Sequence, residues 1–108
     1  MSSLSQKDAS IQRLVQQLRD SLGAGSFDVA DNWESDPFAI GIVNTRDSGV
    51  LAYVSFQAEA PKPYFVSFEL PPAGEWADHP YTPAGEVSVE TFEELVDVLR
   101  AHVMGSAA

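Results

Sequence analysis

Ile11, Leu14, Val15, Leu18 and Leu22 recur at steps of three and four residues, with Gln12, Arg13, Gln16, Gln17, Arg19 and Asp20 between them. That spacing places one apolar stripe on one face of a helix and predicts that the stripe faces a core. Ser5, with Asp8 three residues later, resembles a capping box at its start, and Gly23 and Gly25 supply the stop. The period then changes from near 3.6 to 2. Phe27–Asp31 is a short candidate strand. In Phe38–Asn44, Phe38, Ile40 and Ile42 alternate with Ala39, Gly41 and Val43. Val50–Gln57 alternates Val50, Ala52, Val54 and Phe56 against Leu51, Tyr53, Ser55 and Gln57. Tyr64–Leu70 alternates Tyr64, Val66, Phe68 and Leu70 against Phe65, Ser67 and Glu69. The links between these runs are short: "NTRDSG" is rich in turn formers, and "EAPKP" cannot continue a ladder.

Residues 71–85, "PPAGEWADHPYTPAG", read as an irregular loop, long for a compact domain. Glu86–Val89 is a short last strand. Thr91 with Glu94 forms a capping box, and Phe92, Leu95, Val96, Leu99 and Val103 share one helical face that ends at Gly105. Successive strands with short links predict an antiparallel meander. Two helices with one apolar stripe each, and a sheet that needs cover on at least one face, are satisfied together when both helices pack on the same face. The expected fold is α+β: a two-layer sandwich of an antiparallel sheet of four to five strands with an N-terminal and a C-terminal helix. Residues 1–108 form a single domain in this reading, with 1–4 and 105–108 frayed. The more polar sheet face still carries Leu51, Tyr53 and Phe65, so it is either partly covered or an exposed patch.

Charge changes the picture most. Sixteen acids oppose six bases, for a net charge of −10. Residues 27–108 carry fourteen acids against Arg46, Lys62 and Arg100, whereas residues 1–26 are close to neutral. Such a field repels phosphate backbones and anionic lipid, which argues against nucleic-acid and membrane-surface partners, and it favours encounter with a basic protein. The chain has no cysteine, which excludes disulfides, thiolate metal sites and thiol nucleophiles. The N-terminus has no apolar run of the signal-peptide kind, and no stretch approaches the roughly 18 apolar residues of a membrane span. The expectation is a soluble cytoplasmic protein.

The chemistry-bearing residues are sparse. No phosphate-cradling glycine motif, zinc-protease motif or nucleophile elbow is present. His79 and His102 fit no short metal motif, and the cation-favouring end of the last helix accounts for His102. Glu93 and Glu94 suit the first turn of that helix. Asp31, Glu34 and Asp36 surround Trp33 as an acidic, aromatic-centred patch or a solvated turn. The 71–85 loop gathers Glu75, Trp76, Asp78, His79 and Tyr81. Trp76 and Tyr81 either fold back over the open sheet face or present themselves to a partner, since both residue types are enriched at interface hot spots. The candidate partner-binding set is therefore Trp33, Glu34, Asp36, Glu75, Trp76, Asp78, His79 and Tyr81. The expectation is a non-catalytic module with no cofactor and no metal. A small enzyme or ligand-binding protein using His79 is the alternative, and a homodimer through the second sheet face or a free sheet edge is a further arrangement.

The run "DPFAIGIVN", the turn "TRDSG", then "VLAYVSF", a proline break, "YFVSFEL", a proline-rich aromatic loop and "VETFEELVDVL" resembles small bacterial proteins of the immunity-protein type over residues 27–103. The likeness lies in element order and charge and assigns no role to any single residue. It implies an acidic, cytosolic α+β protein that neutralises a toxin exchanged between bacteria. Type III secretion chaperones share the small acidic α+β outline, but they place a helix between strand groups, which is absent from this sequence.

Overall fold

The computed structural model describes residues 7–30 and 36–104. The expected fraying at 1–4 and 105–108, the cap at Ser5, the stop at Gly105 and the patch residues Asp31, Trp33 and Glu34 lie outside the described residues.

Helix α1 spans Ala9–Leu22. Its N-cap is Asp8, whose carboxylate accepts the Ser10 backbone N–H at 2.9 Å. This corrects the expected capping box: a carboxylate one position before the first helical residue already satisfies a free amide there. Gly23 closes the helix at φ 100°, its N–H bonding to the Arg19 carbonyl. Strands β1 (Asp28–Ala30), β2 (Ala39–Val43), β3 (Leu51–Phe56), β4 (Tyr64–Leu70) and β5 (Thr82–Val89) follow, then helix α2 (Phe92–Val103). All sheet pairings are antiparallel in the order β1-β2-β3-β4-β5, the expected meander.

The last strand is longer than the residues suggest. β5 begins at Thr82 rather than Glu86, and Pro83 sits within it opposite Glu69. β5 is an edge strand with a neighbour on one side only, where a missing N–H is tolerated. The irregularity is absorbed by a register shift between Ser67 and Glu69, with Gly85 at φ 106° opposite it. A single 3-10 turn, Gly74–Trp76, shortens the irregular part of the loop further.

One apolar cluster joins the layers. Ile11, Leu14, Val15 and Leu18 of α1 and Leu95, Val96, Leu99 and Val103 of α2 meet Ile40, Ile42, Val54 and Val66 of the sheet, all buried. Both helices therefore cover the same face. Phe38, expected to continue the Ile40–Ile42 row inward, is 45% exposed because it precedes the strand at the sheet's end. The opposite face is not bare. Ala39, Val43 and Leu51 are buried there outside the main cluster, and Tyr53 and Phe65 are half-buried in an edge-to-face pair 6.2 Å apart.

The direction of the helices gives the molecule two distinct ends. Asp8 at the start of α1 donates its N–H to Pro37, just ahead of β2, and α2 starts directly after Val89, which pairs with Tyr64 at the start of β4. Both helices thus begin at the end holding Asp36 and the β3–β4 turn. Both finish at the end holding the β2–β3 and β4–β5 connections.

Candidate protein-interaction site

The expected partner-binding residues divide between these two ends. Glu75, Trp76, Asp78, His79 and Tyr81 lie in the β4–β5 connection at the helix-finish end, and Asp36 lies at the helix-start end. The seven-residue strand β4 separates them by about 20 Å at 3.3 Å per residue.

The β4–β5 connection packs on itself. Its base is closed by the Leu70–Thr82 pair and by the Thr82 hydroxyl, which donates to the Pro71 carbonyl at 2.9 Å. Inside it, the N–H groups of Trp76, Ala77 and His79 bond to the carbonyls of Ala73, Gly74 and Trp76. The rings of Trp76 and His79 meet at 4.8 Å. Trp76 is half-buried in this local contact and is not among the side chains packed against the helix–sheet core. Glu75, Asp78 and His79 are exposed, and Leu70 and Tyr81, 39% and 40% exposed, stand at the loop's two feet. The loop is therefore an ordered acidic projection with an aromatic centre and an apolar rim.

Beside it, two side chains tie the end of α2 to the sheet. Asn44 donates from Nδ2 to the Val103 carbonyl at 2.6 Å, while its Oδ1 accepts the N–H groups of Arg46 and Asp47 at 2.7 and 2.9 Å. One side chain thereby caps a helix and sets the β2–β3 turn. His102 places Nε2 3.1 Å from the carbonyls of both Leu51 and Glu69. Carbonyl oxygens only accept, so Nε2 carries the hydrogen and donates to both. The ring lies 4.8 Å from that of Phe68. The helix-end position foreseen for His102 is right, but its work is a bridge across β3 and β4.

At the helix-start end, Lys7 is 4% exposed and its Nζ donates to the Asp36 carbonyl at 2.7 Å. The Asp36 carboxylate accepts the Phe38 N–H at 3.0 Å and the Tyr53 hydroxyl at 3.3 Å. Burial, and then the nearby Asp36 charge, raise the Tyr53 pKa, so its hydroxyl stays a donor. The Ser10 hydroxyl and amide hold the Asp8 carboxyl below its ordinary value, which keeps it anionic. A cleft of about 750 Å³ opens here between Asp8, Asp36, Phe38, Tyr53 and the β3–β4 turn. A second of about 600 Å³ adjoins it, sharing Tyr53, Ser55 and Gln57 and continuing to Phe65 and Ser88. Sequence reading missed this trough, because its walls come from four separate segments.

Among the described residues, no three His, Cys, Asp or Glu side chains come together as metal ligands, and no helix is long and apolar enough to cross a membrane. Comparison with protein-family models, curated proteins and solved structures finds no match to any of them.

Proposed function

We propose that this chain is a non-catalytic, acidic protein-binding module that docks a basic protein partner, in the manner of an immunity-type protein. The observation that carries the reading is the setting of the large apolar side chains left in water. Leu70 and Tyr81 flank a projecting loop whose exposed charges are Glu75 and Asp78. Apolar anchors beside acids of one sign fit a partner surface of opposite charge: the anchors supply affinity and the acids accelerate encounter. The loop's internal hydrogen bonds and Pro71, Pro72 and Pro80 lower the ordering cost of binding. His79, its ring against Trp76, belongs to this surface rather than to a catalytic group.

The test is capture with the immobilised full chain, followed by mass spectrometry and kinetic measurement on the captured protein. A basic protein should be retained, its dissociation should accelerate at least roughly tenfold with Trp76→Ala, and Asp78→Asn should mainly slow its association. Retention of acidic proteins, or binding indifferent to both substitutions, overturns the proposal.

A further inference from the structure

The trough at the helix-start end is separate from the loop and about 20 Å from it by the length of β4. Its floor follows a cross-strand row of the second sheet face: Ser55 pairs with Phe65, and Phe65 with Ser88. Ser55 and Ser88 are small, so the floor is low on either side of the Phe65 ring. Tyr53 forms the wall toward the sheet's middle, and the turn through Gln57, Ala60 and Pro63 forms the other. Crossing from β3 to β5 and on to Asp36 spans about 14 Å at one strand spacing per step, the length of about four extended residues.

The charge along this trough is mainly acidic. Among the described residues the larger cleft is lined by Asp8, Asp36 and Glu59, with the Lys7 ammonium behind them, bonded to the Asp36 carbonyl. Lys62, at the far end, lies close enough to Glu94 to help lower its pKa, after the Thr91 and Glu90 amides, so that ammonium already has an acidic neighbour. Phe38, 45% exposed, presents an aromatic ring beside the acids. A carboxylate next to an open aromatic ring is the environment that a guanidinium matches on both counts, by charge-assisted hydrogen bonds and by stacking on the ring. Among the described residues each Asp36 carboxylate oxygen accepts one bond, and such an oxygen has two lone pairs.

We infer that this trough receives a short, extended, arginine-bearing segment of a protein partner, with the arginine between Phe38 and the carboxylates of Asp36 and Glu59. The inference rests on the basic-partner reading above and gives it a second, peptide-like contact. The test is titration of the isotope-labelled full chain with a blocked pentapeptide in which arginine alternates with valine, and with the same peptide carrying glutamate in place of arginine. The arginine peptide should shift the amide resonances of Ser55, Phe65 and Ser88. Asp36→Asn and, independently, Phe38→Ala should each weaken it about fivefold or more. Phe38 is exposed, so its variant folds even if Asp36→Asn does not. Shifts confined to residues 71–81, equal binding of the glutamate peptide, or no shifts at all overturn the trough assignment. None of these touches the loop reading, whose failure is seen separately when a captured partner ignores Trp76→Ala.

Discussion

The two ends of the sheet solve opposite problems. At the helix-finish end, side chains are spent on closure. Asn44 holds the last carbonyl of α2 and a turn at once, and His102 clamps neighbouring strands. At the helix-start end, the helix caps are local. Lys7 and Asp36 fasten the entry of β2, the capping box of Thr91 and Glu94 satisfies the start of α2, and the space between them remains an open trough. The contrast follows from helix chemistry. Helix starts can be capped by their own neighbouring side chains, as Asp8 and Thr91 do, so no side chain from the sheet is needed to cap them. The end of α2 has no glycine cap among the described residues and borrows Asn44 across 59 positions of sequence.

Stability should therefore respond more strongly at the closed end. Asn44→Ala removes three hydrogen bonds and a helix cap, a loss of about 2–3 kcal/mol. The melting temperature should fall by roughly 10–20 °C, measured by thermal circular dichroism. A fall of only a few degrees would mean that water replaces Asn44 and that this end is not held as described. His102→Leu keeps a side chain against Phe68 and deletes both carbonyl contacts. The expected loss is about 1–2 kcal/mol, with faster amide exchange in β3 and β4 near Leu51 and Glu69. Unchanged exchange there would reduce the histidine to a bystander.

The same contrast explains what could be read from the chain. The helix stripes and strand alternations are repeated signals, and they predict the α+β meander with both helices on one face, as found in the single core cluster. The clamps are not repeated signals. The carbonyls that His102 reaches lie 51 and 33 positions away and leave no mark on the residue types there. The start of β5 was hidden by Pro83, because sequence does not reveal which strand will be an edge. For the candidate site, the 75–81 group stayed together because it is contiguous. Asp36 went to the other end because strand direction, and not sequence distance, decides which connections are neighbours. Ser55, Phe65 and Ser88 form one floor, with Tyr53 as its wall, only through the register of three strands, which composition does not encode.

A smaller effect separates burial from bonding at the closed end. Burial raises the carboxyl pKa of Glu69 in the folded protein above its ordinary value of 4.5. The ionised form therefore opposes folding, and that penalty is absent below the unfolded pKa, where both states are protonated. Glu69→Gln keeps the backbone carbonyl that His102 uses. It should stabilise the protein near neutral pH by less than about 1 kcal/mol, since solvent still screens a half-buried group. The advantage should shrink as pH falls through the folded pKa and vanish at about pH 3. Equal melting temperatures of variant and parent at every pH would remove the burial argument.

The smallest expected change in stability is at Trp76, and it bears most directly on function. A tryptophan that caps a core costs about 3–5 kcal/mol when truncated. The Trp76 ring instead meets His79 within its own loop, and the loop's hydrogen bonds to Ala73, Gly74 and Trp76 use backbone atoms that alanine retains. The base of the loop is fixed by Thr82 and the Leu70–Thr82 pair, neither of which needs the indole. Trp76→Ala should thus change stability by about 0.5 kcal/mol at most, while dissociation of a captured partner accelerates at least roughly tenfold. A steep drop in melting temperature would show that the closed end extends through this ring, and the loop would then be part of the closure and not a surface held out from it.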